Sequence, residues 1–228
     1  MSTVAGVVPF TTIDFPGCLA AVVFFKGCPL KCPFCHNPDL QENDGKGEME
    51  WADILSFLSE RKGKLDGVVL SGGEPLMQPD IVDLARQVKE LGFKVGIHTS
   101  GVYPDKLREM APYIDWVGMD IKAPWDKYES VCGRPKMGEK VKESLAFLLD
   151  QGISFEARTT CDPDCLTPDD VLVIAKELKA SGVKIYAMQH YRTFKGDKHP
   201  PEQSAINQFF KEDALAPIKA LYPDLIIR

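Results

Sequence analysis

The chain has 228 residues, a formal net charge of −6, 44% apolar and 26% charged residues, which permits a sizeable buried core and excludes disorder, collagen-like repetition and a disulfide scaffold. Its Lys and Arg residues are spread along the whole length without a basic stripe, which argues against nucleic acid as a partner. No stretch reaches the apolar length of a membrane span and residues 1–17 carry no cationic segment followed by an apolar run, so no membrane partner and a cytoplasmic location are expected.

In chain order, residues 4–8 read as a short edge strand, and from residue 19 apolar runs alternate with amphipathic stretches, the pattern of parallel βα units. Six units are predicted: strand 19–25 with helix 51–61, strand 67–70 with helix 80–91, strand 94–99 with helix 105–110, strand 116–121 with helix 140–151, strand 154–159 with helix 168–180, and strand 184–188 with helix 202–215. Apart from 67–70 and 184–188, the strands are mostly unbroken runs of β-branched, aromatic or small apolar residues suited to burial on both faces. Pro79-Asp80 opens the second helix, Thr167-Pro168 with Asp169 and Asp170 opens the fifth, and Gly92 and Gly152 stop helices where a left-handed residue is wanted. Residues 225–227 are a second edge candidate. Six units are too few to close an eight-stranded barrel, so the expected fold is α/β, a partial (β/α)6 barrel with outer helices. It is expected as a single domain over 1–228 with its core at about 19–215. Ligands of such folds gather at the carboxyl ends of the strands, and every motif below falls there.

Seven cysteines, an odd number, in a chain without a secretory pattern favour metal or redox chemistry. Three of them, Cys28, Cys32 and Cys35, follow the first main strand in the loop Lys26-Gly27-Cys28-Pro29-Leu30-Lys31-Cys32-Pro33-Phe34-Cys35-His36-Asn37-Pro38-Asp39. A C-x3-C-x2-C loop can give thiolates to three corners of a cubane cluster and leave the fourth iron open to a small molecule. A structural zinc site would need a fourth ligand, for which His36 is the candidate although it directly adjoins Cys35. An electron-transfer ferredoxin would supply a nearby fourth cysteine, and none stands between Cys35 and Cys132.

The C-x3-C-x-Φ-C pattern, with Phe34 before the last cysteine, resembles the signature of the radical S-adenosylmethionine (SAM) superfamily. The string from Gly27-Cys28 through Cys35-His36-Asn37 to Asp39, together with Gly6-Val7-Val8-Pro9-Phe10 and Thr12-Ile13-Asp14-Phe15-Pro16-Gly17, resembles the glycyl-radical-enzyme activases, and most of all those of anaerobic ribonucleotide reductase. The resemblance implies one [4Fe–4S] cluster on Cys28, Cys32 and Cys35, with SAM bound beside it near Phe34, Cys35 and His36. It implies that Gly72, Gly73 and Glu74 form the GGE motif at the methionine end of SAM, with Glu74 setting the turn. Thr99, Asp120, Ile121 and Lys122 are further SAM contacts by the same resemblance.

Arg158 is assigned to the SAM site if it faces inward, the alternative being a rim pair with Glu156. His190 lies where related activases touch adenosine, or is a loop histidine without a role. His98 stands where the best-known relative has the aspartate of a monovalent-cation site, which puts the cation in doubt. Cys132, Cys161 and Cys165 are expected on the active face, as ligands of a second cluster, a redox pair or isolated thiols. The implied partners are a glycyl radical enzyme and a reducing flavodoxin or ferredoxin. Three readings stay open: a glycyl-radical-enzyme activase, a radical SAM enzyme acting on a small molecule or another peptide, and a non-catalytic iron–sulfur or zinc module.

Overall fold

The computed structural model describes residues 2–193, 197 and 200–228. The predicted apolar runs form six parallel strands, β2 (Ala20–Phe25), β3 (Gly67–Gly72), β4 (Lys94–Thr99), β5 (Trp116–Asp120), β6 (Phe155–Cys161) and β7 (Tyr186–His190). β1 (Val4–Thr11) adds to β2 antiparallel and β8 (Ile226–Ile227) adds to β7 parallel, so the sheet runs β1 to β8 in chain order. Its two ends are not paired with each other, and the barrel is partial. Helices α1 (Trp51–Glu60), α2 (Ile81–Glu90), α3 (Pro104–Met110), α4 (Tyr128–Cys132), α5 (Met137–Gln151), α6 (Pro168–Ala180), α7 (Gln203–Gln208) and α8 (Glu212–Leu221) complete the chain. No helix among the described residues is long and apolar enough to cross a membrane.

Strand alternation separates two cores. Ala21, Val23 and Phe25 of β2 join the large core shared with the helices, while Ala20 and Val22 join an inner cluster with Phe15, Val69 and Trp116. The inner cluster is a floor. Phe15 stacks on Trp116 with ring centroids 5.6 Å apart. A Cβ at Gly67 or Gly96 would come within 2.9 or 3.1 Å of the Phe15 ring, so these two strand glycines make room for it.

The helix signals act as read at α6, where the Thr167 hydroxyl and the Asp170 carboxylate form a reciprocal capping box. Gly152 closes α5 at φ 65°. Four expectations need correction. The helix expected at 202–215 is two, α7 and α8, interrupted where Phe209 turns into the core and Phe210 stacks on His190. α2 starts at Ile81, and the Asp80 carboxylate accepts from Ser2 rather than capping the helix. α5 starts at Met137, three residues early, after Lys136 adopts a left-handed φ of 61°. β6 and β7 run to Cys161 and His190, so Cys161 and His190 each end a strand. α4 was not anticipated; its buried Tyr128 anchors it to the end of β5 through hydrogen bonds with the Lys122 N–H and the Asp120 carbonyl.

Candidate functional site

A cavity of about 350 Å³ opens at the carboxyl ends of the strands, and all the predicted cluster and SAM residues but Glu74, Ile121 and His190 line it. Cys28, Cys32 and Cys35 line it from the loop after β2, with Phe34 and His36 beside them. That loop is closed at its base, where the Gly27 N–H donates to the Leu40 carbonyl at 2.8 Å and the Cys28 N–H to the Gln41 carbonyl at 3.0 Å. Midway, the Lys31 N–H reaches the carbonyl of Cys132 at the end of α4, at 3.3 Å.

Gly72 and Gly73 line the cavity too, but the space they leave is filled by the protein's own backbone. A Cβ on Gly72 would lie 2.3 Å from the Phe25 nitrogen and oxygen, and one on Gly73 would lie 2.3 Å from the Gly27 oxygen. Without side chains, the Gly73 N–H donates to Phe25 and the Glu74 N–H to Gly27, which fixes the end of β3 against the root of the cysteine loop.

Glu74 is fully buried and is not among the residues lining the cavity. One carboxylate oxygen accepts from the Thr99 hydroxyl at 2.7 Å and the Leu76 N–H at 3.1 Å; the other accepts from the N–H of Ser100 at 2.8 Å and from its hydroxyl. The side chain ties the end of β3 to the end of β4. Burial moves its pKa upward against these four hydrogen bonds.

The charged part of the cavity is Asp120, Lys122 and Arg158. Asp120 takes Lys122 Nζ at 3.2 Å and Arg158 Nε at 3.0 Å, and Arg158 also donates to the Gly118 carbonyl at 3.2 Å. Burial disfavours the Asp120 carboxylate, yet Lys122 and Arg158 outweigh it and hold the group well below the usual carboxylate range. Burial likewise opposes the Lys122 ammonium, and attraction to Asp120 outweighs it and raises the pKa. Lys122 Nζ lies 5.7 Å from the centroid of the Phe34 ring, which couples the triad to the cysteine loop.

Arg158 therefore faces inward, and its strand neighbour Glu156 pairs with Arg228 at 2.8 and 2.9 Å instead. Ile121 is buried, with its carbonyl on the Thr159 hydroxyl, and does not line the cavity. His190 stacks on Phe210, centroids 3.6 Å apart, and lines a small adjoining pocket with Gln189 and Arg192.

His98 forms part of the cavity's lower wall. Its Nε2 lies 2.9 Å from the Asp14 carbonyl, an acceptor, so Nε2 carries the proton and donates. Burial, with Arg158 nearby, pushes its pKa down to about 3, and the ring is neutral. An N–H donor facing a carbonyl is no replacement for a carboxylate that holds a cation.

Sequence reading missed Asp14, Ser71, Thr160, Gln189 and Arg192 as lining residues. Ser71 and Gln189 are next to predicted residues, but Asp14 arrives only because the chain before β2 folds under the barrel.

The donor set fits an iron–sulfur cluster. Three soft thiols from one loop line one cavity, the ligand type that an iron–sulfur cluster takes. His36 meets Tyr191 edge-on at 6.3 Å rather than joining the thiols in a closed zinc site. Burial raises Cys28 to about 12 and the Cys132 thiol beside Cys32 lowers that group, while Lys122 favours both thiolates. Cys132, Cys161 and Cys165 do not line the cavity; the first two are fully buried and the Cys161 thiol donates to the Thr159 carbonyl at 3.9 Å.

These features define an open βα barrel with a thiol-ringed cavity at its strand ends. Residues 22–178, more than half of the chain, match the Radical SAM superfamily. A Methanocaldococcus jannaschii protein, provisionally named a glycyl-radical enzyme activating enzyme, is 35% identical over 197 residues, 82% of this chain and 79% of that protein. The pyruvate formate-lyase-activating enzyme of Clostridium pasteurianum is 37% identical over 132 residues, which cover 55% of each chain. The crystal structure of Streptococcus suis SuiB bound to S-adenosylmethionine superposes with a TM-score of 0.66 at 16% identity, over 88% of this chain and 47% of that one, a likeness of fold. The chain belongs to the radical SAM superfamily and, within it, to the family of glycyl-radical-enzyme activating enzymes. It is an enzyme, and the family's cofactors are a [4Fe–4S] cluster and S-adenosylmethionine.

Proposed function

We propose that the protein activates a glycyl radical enzyme, specifically an anaerobic ribonucleotide reductase, and that the whole chain works as one radical SAM domain fed with electrons by a flavodoxin or ferredoxin. The observation that carries this reading is the meeting of Cys28, Cys32 and Cys35 with Asp120, Lys122 and Arg158 in one cavity. When bound, the cluster and SAM supply the one-electron cleavage of the sulfonium and the carbon radical that takes a hydrogen atom from glycine.

The chain's own residues bind and orient. Cys28, Cys32 and Cys35 hold three corners of the cluster. Asp120, Lys122 and Arg158 sum to one positive charge, which suits the single carboxylate of an amino-acid-type ligand. Gly72 and Gly73 keep the end of β3 low against the cysteine loop, so that backbone rather than side chain borders the ligand. The unpaired ends of the sheet support the reading because a segment of a folded protein needs lateral access to the cavity.

The test is electron paramagnetic resonance on anaerobically reconstituted protein mixed with reductant, SAM and an anaerobic ribonucleotide reductase. A glycyl doublet is the expected result. Cleavage of SAM to 5′-deoxyadenosine with no doublet would shift the assignment to a small molecule or another peptide.

A further inference from the structure

Beside the thiol cavity runs a second groove of about 400 Å³, between β1 and the loop that follows the cysteines. Ala5, Val7 and Val8 form one wall and Pro38 and Leu40 the other, with Asp39 the one charged residue among its described lining. Phe24, His36 and Asn37 line both the groove and the thiol cavity, so the two are continuous.

The strand that walls the groove has a free edge. β1 bonds to β2 on one side, and on the other the described chain bridges it only at Val4, to Met49, with the Glu48 N–H on the Val4 carbonyl. Past that bridge Val8 is 41% exposed, and Pro9, which carries no N–H, ends the run of backbone donors. An edge strand with apolar side chains and unpaired N–H and C=O groups is a template for another strand.

We propose that this edge and groove dock the glycine-bearing segment of the partner protein, added as an extended strand along β1 between Ala5 and Val8. The segment then passes Phe24, His36 and Asn37 into the thiol cavity. An attacked glycine must present its Cα while the chain continues on both sides, and an extended segment does this. Main-chain hydrogen bonds to a strand edge ask nothing of a residue without a side chain, and the apolar walls take the alternate side chains that flank it. Asp39, alone among uncharged walls, favours a Lys or Arg near the glycine.

The proposal rests on the activase reading, and one experiment separates their failures. An anaerobic ribonucleotide reductase is titrated into the reconstituted wild type, Ala5→Trp and Val8→Trp, with glycyl-radical yield and reductase-free SAM cleavage both measured. Absence of a doublet with the wild type would count against the activase reading itself. With a wild-type doublet, the expected result is a KM for the reductase raised about tenfold or more in both variants, with reductase-free cleavage unchanged. An unchanged KM, or cleavage lost along with the radical, overturns the docking site. Hydrogen exchange on the unmutated protein gives a second readout: amides between Ala5 and Val8 gain protection when the reductase binds, and no gain overturns the added strand.

Discussion

Glu74 and His98 show how much of this site is built by residues that hold other residues. The Glu74 carboxylate accepts four hydrogen bonds in a fully buried position, so truncating it strands two hydroxyls and two amide N–H groups at the strand ends. Glu74→Ala is expected to cost about 3–4 kcal/mol of stability in chemical denaturation, with Glu74→Gln milder because it keeps part of the network. His98 sets a pH dependence. Its folded pKa of about 3 lies below the ordinary value of about 6.5 of the unfolded chain. Between those values the unfolded chain binds a proton that the folded one does not, so stability falls as pH drops from about 6.5 toward 3. Urea midpoints measured across this window should slope less for His98→Asn than for the wild type.

At the scale of elements, the contact between β3 and the cysteine loop governs the site. Gly73 sits so close to the Gly27 carbonyl that any Cβ forces backbone to move. Gly73→Ala is expected to lose more than about 3 kcal/mol and to bind iron poorly, because the displaced backbone carries Cys28 with it. Iron analysis and thermal unfolding measure the two effects separately. The glycine pair was legible in the sequence as a tight turn at a strand end, while its reason was not: the close neighbours are Phe25 and Gly27, some 45 residues away in the chain. The helix expected at 202–215 failed for a similar reason. Its pattern is helical on both sides of Phe209, and only the core that receives Phe209 and the His190 ring beneath Phe210 show why the chain breaks there.

Across the whole molecule, seven cysteines divide into three that line the cavity and four that do not. Reconstituted wild type should carry about four irons per chain, and about eight would instead establish a second cluster on the remaining cysteines. Cys28→Ser, Cys32→Ser and Cys35→Ser should each lower that number, whereas Cys132→Ser and Cys165→Ser should keep it. The sheet explains the division. Parallel strands bring the loops after β2 through β7 to one end, so motifs far apart in sequence share a cavity, while Cys161, the last residue of β6, is fully buried and Cys132 lies under the loop at Lys31.

The sequence by itself determined the six parallel strands, the thiol loop and the family, because apolar runs and ligand spacing are local patterns that survive without coordinates. The inward turn of Arg158 against Asp120, the withdrawal of Glu74 from the cavity, the proton on His98 Nε2 and the arrival of Asp14 were decided only by the tertiary structure. Each depends on a partner in another strand or beneath the barrel, and no spacing along one segment encodes which of two faces such a partner occupies.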